Sequence, residues 1–311
     1  MAVCAFVVSP AAVGLAAAGR SADRPRPRCF GAAARDPARP CRNPRLRRMV
    51  RPSRAKALVT PNAPCKPVER VGQVGVCSFG VAESKATGTV ALIGDSHAVH
   101  WRAALDQVAR ANGWHGVSLH QTGCPLSKAT KKLREPLFSE CIRWNAEVYG
   151  WLAGHPEVNV VFTSALVSRT GVVRRAGRTE FDTAVEGYAD AWAALPPSVT
   201  SVVVIRDDPN VGKRAIDCVE RATRARRAAG VACAVRRRTA LKPDPAAVAV
   251  RRLHPQRVHL VDLSRLFCGR RRCFPVIGGA LVYKDGNHLT RVYSTTLGPI
   301  LRRRVARIDL T

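Results

Sequence analysis

Acidic residues are scarce in this sequence: 22 Asp and Glu stand against 51 Lys and Arg over 311 residues, a net charge of +29. That shortage leaves a chain that attracts polyanions in general, whether nucleic acid, anionic lipid or acidic cell-wall polymer. Aromatics are also few, at 5%, and are not interleaved with the basic runs, so no stacking platform for single-stranded nucleic acid is present. Long apolar runs are missing: none approaches the roughly 20 residues of a membrane span. The longest, AVCAFVVSPAAVGLAAAG near the N-terminus, is interrupted by Pro10. No C-x-x-C pair occurs among the cysteines, which removes the zinc ribbon and the thioredoxin-like redox motif.

Cysteines themselves are plentiful. Eight of the eleven fall into local pairs, Cys65 with Cys77, Cys124 with Cys141, Cys218 with Cys233 and Cys268 with Cys273. Loops of these lengths close well as disulfides, which implies an oxidising compartment outside the cytoplasm. The sequence does not fix their connectivity. Cys4, Cys29 and Cys41 are left over, and the odd count suggests an N-terminal segment that is processed or stands outside the folded unit.

Residues 1–60 read as a separate, disordered basic segment, with 13 Lys or Arg against 2 Asp or Glu. The first 18 resemble a signal-peptide core that runs into small residues suited to cleavage, LAAAGRSA, although a charged n-region is lacking. The Arg-, Pro- and Ala-rich stretch that follows has no apolar periodicity, the composition of disorder. Two readings stand: a tail, or a start that lies upstream of the true one. Arginine triplets recur at 236–238, 270–272 and 302–304. They fit either a polyanion site or a composition biased towards Arg, Ala and Val.

From residue 61 to 311 the sequence predicts one folded domain. Short β-branched runs at 89–95, 116–122, 158–165, 201–207 and 258–263 read as strands. Helical spacing marks 98–112, with Trp101, Leu105 and Val108 on one side, and also 141–154, 180–195 and 288–308. Strands alternating with helices predict a three-layer α/β/α sandwich around a mostly parallel sheet.

In such sheets functional groups gather at the carboxyl ends of strands. Ser96 stands there in TVALIGDSHAVHW (89–101), just after Gly94 and Asp95. The helix beginning beside it offers free backbone N–H groups to an oxyanion. A plain helix N-cap would use the same serine. A nucleophile needs a base and the base an orienting carboxylate, and YKDGNHLT (283–290) supplies His288 and Asp285 in one glycine-containing turn. His97 reads as a substrate or supporting contact rather than the base, and His100 and Trp101 as packing or cleft residues. Asp95 reads as a holder of the turn through backbone hydrogen bonds, and RDDPN (206–210) as a plain turn in preference to a cleft loop.

GDS near the first strand and D-x-x-H near the C-terminus resemble the outer motifs of the SGNH (GDSL-like) hydrolase superfamily. CSFG (77–80), ALIGDSHAVHW (91–101), GCP (123–125) and DGNHLT (285–290) resemble, more narrowly, the SGNH domain fused to membrane acyltransferases of family 3. Over about residues 61–308 the resemblance implies Ser96 as nucleophile, His288 as general base and Asp285 as its partner. It also implies an oxyanion hole at Ser96 and Gly123. The asparagine that the superfamily carries after its third strand is missing from FTSALVSRT, where Ser164 is the nearest polar residue.

The implied protein is an extracytoplasmic serine O-acyltransferase or esterase acting on an acylated surface glycan. It needs no metal or organic cofactor. Its partners would be the acylated glycan or acyl donor and a separate membrane acyltransferase component, with no nucleic acid and a monomeric chain. The alternative is a catalytically weak module that binds anionic cell-wall polymer.

Overall fold

The computed structural model describes residues 26–63, 65–72, 74–167 and 171–310. The signal-like stretch and Cys4 lie outside the described residues. Seven strands form the main sheet: β1 Lys66–Val71, β2 Val74–Gly80, β3 Gly88–Gly94, β4 Trp114–His120, β5 Val158–Ser164, β6 Ser201–Ile205 and β7 Val258–Val261. Their order is β1-β2-β4-β3-β5-β6-β7. The run from β4 through β3, β5 and β6 to β7 is parallel, while β1 and β2 join antiparallel at one edge.

Both faces of the parallel strands are covered, which is why they read as continuous apolar runs rather than alternating ones. Val90, Leu92, Phe162 and Val203 face α1 (Ser96–Asn112), α4 (Lys213–Arg224) and α6 (Arg291–Val305), where Trp101, Leu105, Ile216 and Leu297 are buried. Ala91, Ile93, Val161 and Val204 face α2 (Leu137–Ala153), α3 (Glu180–Ala193) and α5 (Pro245–Leu253), with Trp144, Val148, Trp192 and Ala249. The predicted sandwich is present. β1, β2, α4 and α5 were not among the elements read from the sequence. β1 is exposed along its whole length, and its Pro67, Lys66 and Arg70 suit an edge that should not recruit further strands.

The expectation of disorder over residues 1–60 is corrected for 26–60. Cys29 and Cys41 form a disulfide, so they are not left over. Phe30, Ala32 and Leu46 are buried in the layer of α1 and α6. The Ala32 N–H donates to Thr296 Oγ1 at 2.9 Å, Asp36 pairs with Arg303, and Arg54 pairs with Asp217 at 2.9 Å. The segment makes short 3-10 turns on small side chains, so a cross-link and two ion pairs fasten it without any apolar period.

The four local cysteine pairs are also bonded, which makes five disulfides among the described residues. Five bonds of this kind fit an oxidising compartment. No helix is long and apolar enough to cross a membrane among the described residues.

Candidate active site

β3 ends at Gly94, and the chain must turn sharply there to start α1. Gly94 has φ +152°, and a Cβ on it would stand 2.3 Å from the Ser164 carbonyl oxygen of neighbouring β5. Only glycine fits so close an approach. Asp95 is the N-cap of α1, and its side chain accepts the His97 N–H at 2.8 Å and the Leu166 N–H at 3.0 Å. Asp95 therefore ties the start of α1 to the segment after β5, as its reading as a turn-holder anticipated. Because Asp95 does the capping, the Ser96 hydroxyl is free for another partner.

That partner comes from 192 residues away: His288 Nε2 lies 2.9 Å from Ser96 Oγ. On its other side His288 Nδ1 stands 2.7 Å from Asp285 Oδ2. The second oxygen of Asp285 accepts the backbone N–H groups of Asn287 and His288 at 3.2 and 2.9 Å. Burial opposes the charge of Asp285, but these donors and the imidazole outweigh it and hold the carboxyl well below its usual range. An ionised carboxylate thus faces Nδ1, which fixes the proton there and leaves Nε2 to accept from the serine.

The carrying turn is closed by the Lys284 N–H on the His288 carbonyl at 3.0 Å. Gly286 sits at its tip with φ +135° against the Gly212 backbone. Thr290 then caps α6 by accepting the Tyr293 N–H. The structure brings Ser96, His288 and Asp285 together as the motifs implied.

Gly123 lies in the loop after β4, where Lys131 Nζ donates to its carbonyl at 2.7 Å. Ser164, at the end of β5, is buried and its hydroxyl has no hydrogen-bond partner among the described residues. Lys131 is itself nearly buried, and that burial lowers its pKa.

Beneath the triad lies a group of side chains that the sequence reading missed. RDDPN is not a plain turn: Asp207 and Asp208 are buried at the carboxyl end of β6. His97 Nδ1 meets Asp207 Oδ1 at 2.6 Å. Asp207 also accepts the Val167 N–H at 2.7 Å, and its own N–H donates to Asp244 at 2.9 Å. Burial works against a charge on His97, yet Asp207, Asp208 and Asp95 together prevail and raise its pKa to about 9.

His100 Nε2 lies 2.9 Å from Asp208 Oδ1 but out of line for a hydrogen bond. Burial pushes the pKa of His100 well down and that of Asp208 well up, which disfavours the charged form of each. The His97 ring stands 5.0 Å from that of His288, so the pair with Asp207 lies behind that imidazole. His97 and His100 are supporting groups of the site, and Trp101 is a core residue packed edge-on against Phe267. The readable signal was two histidines three apart on the inner face of an apolar helix, which need acidic partners when buried.

The triplets 236–238 and 270–272 also converge, through a short antiparallel pairing in which Arg236 stands opposite Arg272. Among the described residues none of these six arginines makes an ion pair.

A family model described as the SGNH domain fused to AT3 domains matches residues 62–303. Among solved structures, the periplasmic domain of a lipopolysaccharide acetyltransferase from Salmonella ser. Paratyphi A is similar in fold. It has a TM-score of 0.55 at 11% identity, over 73% of this chain and 90% of that one. A putative esterase from Staphylococcus aureus aligns with a TM-score of 0.35 and 12% identity, over 82% and 87% of the two chains. No curated protein matches the sequence.

Proposed function

This chain belongs to the family of SGNH domains fused to AT3 domains, and on that footing we propose that it is an extracytoplasmic serine acyltransferase or acyl esterase acting on an acylated surface glycan. The observation that carries the reading is the continuous line from Ser96 Oγ through His288 to Asp285, at 2.9 and 2.7 Å.

His288 Nε2 takes the hydroxyl proton as Ser96 Oγ attacks the acyl carbonyl carbon. The backbone N–H groups of Ser96 and Gly123 meet the resulting oxyanion. Collapse breaks the bond to the leaving oxygen, which takes the proton from His288, and an acyl-serine remains. A sugar hydroxyl or water, deprotonated by His288, then attacks the acyl-serine and returns Ser96. Asp285 stays ionised throughout and holds the imidazolium. The fold neighbour, a lipopolysaccharide acetyltransferase domain, accords with a glycan acceptor.

One observation favours polyanion recognition as well: six arginines without acidic partners share one surface. An anionic glycan acceptor would use both features. A module that only binds such a polymer would use the arginines alone.

A serine-directed fluorophosphonate probe separates the two. Labelling of the wild-type protein, lost in Ser96→Ala and strongly reduced in His288→Ala, supports the enzyme. Each variant should also lose at least about 100-fold in hydrolysis of p-nitrophenyl acetate. An unlabelled, folded wild-type protein refutes it.

A further inference from the structure

A cavity of about 460 Å³ opens at the carboxyl ends of the strands, and Leu166, Val167, Val172, Phe181, Ala184 and Val211 form its apolar walls. Its walls belong to the segments that build the site. The Leu166 N–H donates to Asp95, the residue before Ser96. The N–H groups of Val211 and Gly212 donate to the Gly286 carbonyl at 2.8 and 3.2 Å, between Asp285 and His288. Lys131, on the rim, holds the Gly123 carbonyl. These bonds fasten the walls of the cavity to Asp95, Gly286 and Gly123, the neighbours of Ser96 and His288 in the chain and in the site.

We propose that the cavity is an acyl-chain pocket and that the transferred acyl group is a medium-length aliphatic chain of about eight carbons. The proposal rests on the serine acyl-transfer reading above and extends it to the donor. An acetyl group takes the room of roughly two waters, about 60 Å³ at about 30 Å³ each, a small part of this cavity. At a comparable volume per methylene, an eight-carbon chain occupies about half of it.

Most of the polar groups at the rim are already engaged, which argues against a sugar as occupant. Glu180 pairs with Lys132. Asp244 accepts the N–H groups of Asp207, Ala246 and Ala247, and Asn210 accepts the Gly212 N–H. A sugar site offers converging free donors and acceptors, whereas an apolar wall with its polar groups spoken for suits a hydrocarbon.

The test is the kcat/KM of the full chain on p-nitrophenyl acetate, butyrate and octanoate, each below its aggregation limit. A buried methylene favours binding by up to about fourfold, so octanoate should exceed acetate by at least about 30-fold, with butyrate between. Ala184→Trp, which fills the cavity from α3, should cut octanoate turnover at least tenfold and leave acetate within twofold. A flat or falling series in the wild-type protein overturns the pocket, and so does an equal loss on both esters in a folded Ala184→Trp. The wild-type series decides even where that variant does not fold. Ser96 labelled by the fluorophosphonate probe with a flat series removes the pocket alone. An unlabelled Ser96 with no ester turned over removes the acyl-transfer reading beneath it.

Discussion

The buried pair of His97 and Asp207 makes the stability of this protein fall with rising pH, in a window set by the pair itself. His97 has no solvent exposure, and its pKa stands at about 9 against an ordinary 6.5. A group whose folded pKa is raised stabilises fully below its unfolded value and loses that contribution as pH rises through the folded one. Between pH 6.5 and 9 the folded protein therefore holds one proton more on His97 than the unfolded chain does. The slope is about 1.4 kcal/mol per pH unit, and the total loss is on the order of 3 kcal/mol. Asp244, raised to about 6, titrates below that window, while Asp208, which burial raises well above the ordinary carboxyl value, adds a loss of the same sign where it titrates.

Urea unfolding at pH 6.5, 7.5, 8.5 and 9.5, followed by tryptophan fluorescence, reads the loss directly. Asp207→Asn removes the principal carboxylate facing His97. It should lower stability at pH 6.5 by about as much and flatten the dependence, so that variant and wild type converge near pH 9.5. A wild-type stability that is level from pH 6.5 to 9.5 would refute the reasoning. So would an Asp207→Asn protein that keeps the wild-type slope.

Asp285→Asn should leave the fold intact and lower kcat on p-nitrophenyl acetate by about 100-fold or more, because His288 loses both the acceptor that fixes its tautomer and the charge that stabilises its protonated form. A loss under about fivefold would remove Asp285 from the mechanism. Replacing Arg236, Arg238, Arg270 and Arg271 together by Gln should weaken binding to anionic wall polymer at low salt by at least about tenfold, since each lost contact removes a counterion-releasing pair. Esterase activity on a neutral ester should stay unchanged in that variant, and polymer binding that ignores both the substitutions and salt would make these arginines compositional background.

The five parallel strands were legible because cover on both faces forces a continuous β-branched run, such as VVVI at 202–205 in β6. The two antiparallel strands were not. β1 is exposed along all its residues, so no hydrophobic pattern marks it, and its place is set by pairing with β2. α4 carries a usable pattern in Ala215, Ile216, Val219 and Ala222, but arginine-rich flanks masked it. Residues 26–60 fail for a different reason. Their attachment rests on a disulfide, Phe30 and Leu46, and on ion pairs to Arg303 and Asp217, whose partners lie far along the chain.

The site divides in the same way. Ser96, Asp285 and His288 were legible because each stands in a short motif whose residue types have a joint chemical purpose, even across 192 residues. The layer beneath was not, because Asp, Pro and Asn in RDDPN serve an exposed turn and a buried acid cluster equally well. What separates the two is the helix opposite. His97 and His100 lie three apart on α1, on the side that also buries Trp101 and Leu105. Two histidines among apolar neighbours must each find a partner or remain neutral. An Asp-Asp at the carboxyl end of a parallel strand can provide those partners. The outcome is one close pair, His97 with Asp207, in which burial is overcome and the His97 pKa is raised, and a second contact, His100 with Asp208, in which burial disfavours the charge of both. This arrangement ties α1 to the end of β6 directly behind the His288 imidazole.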